Sequence, residues 1–441
     1  MLITIDTLRA DAVSFANGGP DTTPFLATLA REGIVFDRAY APSSWTAPSM
    51  ASLFTSLEPA SHGVVHGAMA TRDSAPGLVA VNQHVLADSL LTMTESFRAG
   101  GFRTIGVAAN SHLTAALGFG QGFDSYLEEA PFISARAVNR HVTRAMEAQF
   151  GPEWRRDWKR TPTFLWVHYF DPHAPYEARQ PWAREFARER TAAQGAAAGL
   201  SFPQLTKRYA DNIDSARAEL EPLYWSEVRY VDEHIRALDR ELGFSDPNVL
   251  VVVTSDHGEE FGEHGELGHG TNLYEESVRV PLFLRWPERL AQGERSAAPT
   301  TLLDIFPTLA ALLGTDAPAT THGIALPLAE LAQVGAARPI HLETRRSQPR
   351  TRAVRAGDEK LILRDFRQRR MRDQRRQLYD LARDPRELVN LADTQAARAL
   401  DLERSIGRHH RSLPEPPADT RQETIADEAA VERLRQLGYG D

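Results

Sequence analysis

Short runs of apolar, β-branched residues alternate along the chain with segments whose apolar positions recur every three or four residues. Continuous apolar runs of this length read as strands, and the helical segments between them read as crossovers. The pattern therefore predicts an α/β fold with a large, mostly parallel sheet covered by helices. Strands are predicted at Leu2–Ile5 and Thr163–Tyr169 and over residues 34–40, 104–108 and 248–254. A helix over residues 24–31 has Pro24 at its start behind Thr22 and Thr23. Another over residues 221–242 carries Leu223, Val228, Val231, Ile235, Leu238 and Leu242 at helical spacing, with Gly243 as a stop signal.

The pattern changes near residue 340. Over residues 345–376 thirteen Lys and Arg stand against four Asp and Glu, and residues 353–363 read as two strands around a Gly-Asp turn. The chain is thus divided into a large α/β region over 1–340 and a small C-terminal α+β region with an antiparallel sheet over 341–441. The basic stretch reads first as a solvated hairpin and second as a surface that meets an anionic substrate or partner.

Composition narrows the function. The chain has 441 residues, 42% hydrophobic and 25% charged, enough for a large buried core. Its formal charge of −9 is opposite in sign to the basic footprint of a general nucleic-acid binder. No apolar stretch approaches the roughly 20 residues of a membrane-spanning helix. Cysteine is absent, which removes disulfides, thiolate metal sites and a Cys nucleophile. Met1 opens directly onto a strand, so the sequence as written predicts a cytoplasmic protein, whereas a true start further upstream would make it periplasmic or exported.

Ligand-type residues collect at predicted strand ends. Asp6 closes the first strand, and Asp256 with His257 closes the strand over 248–254. Carboxyl ends of strands line the binding crevice of open parallel sheets, so these residues should converge. Each Asp taken singly reads as a helix cap, but two acidic strand ends beside a His suit a divalent cation, with Mn, Mg, Ca or Zn as candidates. Pro48 suits the first turn of a helix, which places Thr46 at a helix N-terminus that favours an anion. A bare Thr hydroxyl is a poor nucleophile, and metal coordination would activate it. An ordinary N-cap is the alternative role for Thr46.

The ordered segments ITIDTLRADAV, APSSWTAPSMASLFTSLEPASHGV, VHYFDPHAPY, TSDHGEEFGEHGELGHGTNLYEESVRVPLFL and QLYDLARDPRELVNLA, with the closing LRQLGYGD, resemble the sulfatase family of the alkaline phosphatase superfamily. The resemblance implies a large α/β catalytic domain, a small C-terminal four-stranded domain and a metal site at the sheet edge. It makes Asp6, Asp256 and His257 metal ligands and puts Thr46 at the nucleophile position, also against the metal. It matches His173 to the His that protonates the leaving group. His269 falls where sulfatases carry a Lys that grips the transferring group and where phosphoethanolamine transferases carry a His. Asn110 and His168 are further candidates for substrate contact, His168 with the alternative of a strand-end residue that orients a neighbour. His62, His66 and His264 are assigned structural or loop roles. One cation is the simpler expectation; a second could recruit Asp171 with His173 or His269.

The departures from the family pattern bear on the chemistry. Sulfatases convert the Cys or Ser of a Cys-x-Pro-Ser-Arg motif to formylglycine, whose hydrate expels sulfate by collapsing to the aldehyde. Here the motif reads Thr46-Ala47-Pro48-Ser49-Met50, and Thr cannot give that aldehyde. The family's Lys-bearing segment reads Ala108-Ala109-Asn110-Ser111-His112, without the Lys. A phosphorylated Thr can be attacked in line at phosphorus, so the expectation is a metal-dependent hydrolase of phosphate or phosphonate esters. The alternatives are a sulfatase, a phosphoethanolamine-type transferase, and a non-catalytic binding protein.

Overall fold

The computed structural model describes the chain apart from residues 68, 73–78, 129–132, 188–195, 332–333, 336–337, 347–349, 366–374, 426–430, 433, 436 and 438–441. Eight strands form the central sheet in the order Glu294–Ser296, Ile34–Phe36, Leu282–Arg285, Val251–Ser255, Leu2–Ile5, Thr163–Tyr169, Arg103–Ala108 and Ser125–Glu128. Leu282–Arg285 runs against both its neighbours, and every other pairing in the sheet is parallel.

Successive side chains of a strand point to opposite faces. Ile3, Ile5, Val107, Val167, Val251 and Val253 enter one core with helices Ala135–Phe150 and Ala216–Leu242. Leu2, Phe164, Trp166 and Val252 enter a second core with helices Thr46–Thr55, Met93–Ala99 and Ile305–Leu313. Coverage on both sides explains the unbroken apolar runs, and each large side chain so buried contributes about 1.5–3 kcal/mol.

Two predicted elements differ in their limits. The run over 34–40 is two strands, because the chain turns at Asp37, whose amide donates to the Ser296 carbonyl at 2.8 Å. Ala39–Tyr40 then joins Arg279–Val280 and Thr300–Thr301 in a separate three-stranded sheet. The long helix begins at Ala216 rather than 221 and carries Pro222 inside it. A proline normally marks a first turn, yet here apolar burial on both sides of it outweighs the missing hydrogen bond. Gly243 ends that helix with φ 64°, a left-handed cap that favours glycine.

Strands Ile340–Thr344, Thr351–Ala356, Glu359–Arg364 and Arg376–Asp380 form a small antiparallel sheet, against which helix Ala396–Ser412 packs. Much of the basic stretch is consumed within it: Arg350 binds Glu343, Arg352 binds Asp365, and Arg375 binds Glu403. The chain then turns back. Arg421–Ile425 pairs with Val79–Val85 in another sheet, and the Ser89 hydroxyl donates to Asp419 Oδ1 at 2.6 Å. Val431, Leu434 and Leu437 join the first core. Among the described residues no helix is long and apolar enough to cross a membrane.

Candidate active site

Strand register builds the site. Ile5 pairs with both Tyr169 and Ser255, so the residues that follow, Asp6 and Asp256, emerge side by side at the carboxyl edge of the sheet. Thr7 turns the chain away with φ 54°, a conformation that costs a β-branched residue about 1–3 kcal/mol. The turn is held by the Thr7 amide on Asp256 Oδ1 at 3.2 Å and the Tyr224 hydroxyl on the Thr7 carbonyl at 2.9 Å.

His257 completes a three-residue cluster. Its Nδ1 lies 2.8 Å from the Gly258 carbonyl, which can only accept, so Nδ1 carries the proton and Nε2 turns inward with a lone pair. Nε2 is 3.4 Å from Asp256 Oδ2 and 3.7 Å from Asp6 Oδ1. Both of those carboxylate oxygens are buried without a hydrogen-bond partner among the described residues. Burial, together with the Asp6 charge, pushes the pKa of Asp256 up. Two buried carboxylates sharing one space are stabilised by a cation between them, and one atom each from Asp6, Asp256 and His257 can be chosen within 4.8 Å of one another. The donor set fits a divalent cation.

Thr46 is the first residue of helix Thr46–Thr55, with Trp45 in the N-cap position. Its Oγ1 lies 3.1 Å from His257 Nε2. The helix is fixed to the metal-type cluster by the Ser49 hydroxyl, which donates to the Asp256 carbonyl at 2.5 Å. The positive end of the helix dipole thus faces the space beside the Thr46 oxygen. Met50, in place of the family's Arg, is fully buried in the second core.

Two more histidines close the site. The His269 ring centroid is 4.4 Å from that of His257 and 5.0 Å from that of His173. His173 stacks on Phe170 at 4.6 Å and donates Nδ1–H to the Ala174 carbonyl at 2.7 Å, which leaves its chemistry to Nε2. Burial lowers the pKa of both rings. His269 Nδ1 is 2.9 Å from Glu259 Oε1, and the Tyr176 hydroxyl donates to Glu259 Oε2 at 2.9 Å. Burial, only partly offset by that hydroxyl, pushes Glu259 up to about 8.

The structure therefore brings together Asp6, Thr46, His173, Asp256, His257 and His269. Asn110 and His168 are placed on Asp6: Asn110 Nδ2 donates to Oδ2 at 2.5 Å, and His168 Nε2 is 3.5 Å from the same oxygen while its Nδ1 meets Thr4 Oγ1 at 2.8 Å. These contacts orient the Asp6 carboxylate. Asp171 has both oxygens engaged, by Arg179 at 2.9 Å and the Ala135 amide at 2.7 Å, so it is not offered to a second cation. His62 accepts the Val64 amide and meets the Ser52 hydroxyl, bracing a loop.

Three site neighbours escaped the sequence reading: Glu259, Tyr176 and Arg346. Glu259 follows His257 by two residues, so its place in the sequence was a usable signal. Tyr176 follows His173 by three residues, a usable signal too, whereas Arg346 arrives from another segment and only the tertiary fold brings it near. A second group, His264, Glu276 and Glu387, also has metal-type composition. There Lys360 Nζ lies 3.0 Å from both Glu275 and Glu387.

Comparison with known proteins agrees with this architecture. The sulfatase family model matches residues 1–315, and a model described as the N-sulphoglucosamine sulphohydrolase C-terminal region matches residues 262–406. The chain is 25% identical to a protein named uncharacterized sulfatase YidJ from Escherichia coli (strain K12), over 89% of this chain and 82% of that one. It is 29% identical to a choline-sulfatase of Rhizobium meliloti (strain 1021), over 54% and 48% of the two chains. The fold is shared with the phosphonate monoester hydrolase of Agrobacterium radiobacter, with a TM-score of 0.66, 20% identity, and 93% and 95% of the two chains covered. Asp6, Asp256 and His257 form a candidate site for the divalent metal typical of such enzymes, and the chain belongs to the sulfatase family of ester hydrolases.

Proposed function

We propose that the protein hydrolyses phosphate or phosphonate esters, with Thr46 as nucleophile. The relatives divide between sulfatases and a phosphonate monoester hydrolase, so their names leave the transferred element open. The observation that carries the reading is Thr46 itself: a secondary alcohol, at a helix N-terminus and 3.1 Å from His257 Nε2, occupies the position of the formylglycine precursor.

Asp6, Asp256 and His257 would hold the cation, here Mn, Mg, Ca or Zn. When bound, it supplies positive charge that favours the Thr46 alkoxide and the developing charge on the substrate's non-bridging oxygens. Thr46, its proton released to solvent, forms a bond from Oγ1 to phosphorus as the bond from phosphorus to the leaving oxygen breaks. His269 and the helix N-terminus orient the non-bridging oxygens. His173, with Nδ1 committed to Ala174, acts through Nε2. Its burial disfavours the imidazolium in the free protein, and an entering anionic ester restores it, so the acid is loaded by substrate. Nε2 gives that proton to the leaving oxygen. Water then attacks the phospho-Thr46, His173 takes up the proton released, and the Thr46 oxygen departs.

The test is a set of p-nitrophenyl esters (phosphate, bis-phosphate, phenylphosphonate and sulfate) with each of the four metals, alongside the intact mass of the peptide containing Thr46. Phosphorus esters should be cleaved faster than the sulfate by an unmodified Thr46. Sulfate release at a matching or higher rate would overturn the proposal and return the chain to the sulfatases proper.

A further inference from the structure

We propose that Arg346 forms an anion-binding subsite at the mouth of the active site, selecting esters whose leaving group carries a second negative charge. The proposal rests on cleavage at Thr46 as described above, and it concerns the far side of the substrate.

The subsite is built by the seam between the two sheets. Strand Ile340–Thr344 ends against the loop that holds His269: the Thr344 hydroxyl donates to the Gly270 carbonyl at 2.6 Å, and Arg346 Nη1 donates to the His269 carbonyl. Gly270 has φ 87°, and a Cβ there would lie 2.4 Å from Arg346 Cδ, so the absent side chain is the groove in which the arginine stem lies. The guanidinium carbon stands 5.8 Å from the Trp45 ring centroid, next in sequence to Thr46. Arg346 is thus fixed at three points around the site, while its side chain keeps partial solvent access.

The charge acts where the leaving group would sit. Arg346 donates to the backbone carbonyl of His269, whose ring centroid is 5.0 Å from that of His173. The transferring group already has the cation donors, the helix N-terminus and His269. His173, assigned to the leaving oxygen, and Arg346 are both neighbours of His269. Trp45 and His112, in edge-on contact at 5.4 Å, are buried rings beneath the guanidinium. A planar guanidinium there suits a carboxylate, sulfate or phosphate borne by the leaving group.

The experiment compares two aryl phosphonates with related nitrophenol leaving groups, 4-nitrophenol and 5-hydroxy-2-nitrobenzoate, on the metal-loaded full chain. The wild-type protein should prefer the carboxylated ester. Arg346→Met, which keeps the stem in the Gly270 groove, should raise KM for that ester about 10- to 100-fold more than KM for the plain ester. Arg346→Lys should recover part of the preference. Equal losses in kcat on both esters would overturn the proposal by placing Arg346 on the transferring group, and no loss on either would overturn it outright. Absence of turnover in the wild-type protein would defeat the hydrolase reading alone, because calorimetric binding of the two free phenols still reads the subsite. Tighter binding of the carboxylated phenol, lost in Arg346→Met, supports it; equal binding of the two overturns it.

Discussion

Two groups in this protein, one fully buried and one partly buried, have nearly the same composition, a histidine with two carboxylates, and different electrostatics. Around Asp6, Asp256 and His257, unpartnered oxygens and an imidazole lone pair point into one space beside a hydroxyl. Around His264, Glu276 and Glu387, the charge is already balanced by Lys360, buried and 3.0 Å from each of two carboxylates. Burial and the Glu260 charge hold the Glu276 pKa well above its ordinary value; its Oε1 lies 3.3 Å from His264 Nε2, and neither atom has a hydrogen-bond partner among the described residues. The first group presents carboxylate oxygens without a hydrogen-bond partner among the described residues, whereas the second has a cationic side chain, Lys360, against Glu387. Metal-type composition is therefore no guide until the neighbouring charges are counted.

That contrast can be broken by substitution. Asp256→Ala should remove bound metal and activity together, read by elemental analysis of the purified protein; full occupancy in the variant would contradict the assignment. Thr46→Ala should keep the metal and lose about 10⁴-fold or more in turnover of phosphorus esters, because no neighbouring group can attack in line. His173→Ala should lower rates on alkyl esters about 10²- to 10⁴-fold and on p-nitrophenyl esters far less. For the wild-type protein the alkyl-ester rate should fall as pH rises through the His173 pKa in the substrate complex, since the protonated ring is the acid. A flat profile, or equal losses on both ester types, would point to a structural role.

The second group should answer differently. Lys360→Met leaves Glu275 and Glu387 buried without their cation and should cost about 3–5 kcal/mol of stability in denaturant titrations, with metal content unchanged. Glu276→Gln should be the mildest change, within about 0.5 kcal/mol at neutral pH, because burial already favours the uncharged carboxyl that the amide would replace. Loss of a metal ion in that variant would erase the distinction between the two groups.

What was legible in the sequence follows from where each residue lies. Asp6, Asp256 and His257 could be read because strand ends in a parallel sheet must converge, and a strand is recognisable from its own apolar run. Thr46 could be read from Pro48 two residues on, a local signal of a helix start. Arg346 could not, because its position depends on how the antiparallel sheet docks and on the room left by Gly270. The break at Asp37 and the five extra residues of the helix Ala216–Leu242 were hidden for the same reason: neighbouring strands and cores decide them, not local pattern.

The return of Arg421–Ile425 to Val79–Val85 bears on how the molecule is made. Ser89 and its partner Asp419 stand 330 positions apart, so the early segment leaves the ribosome long before its partner exists. Until then Val79–Val85 is paired, among the described residues, with Met69–Arg72 alone, and an unpaired strand edge invites other chains. Contacts closed over such a span are slow to form, so the hazard for this protein in a cell lies in the interval of synthesis, before its late residues come back to seal its early ones.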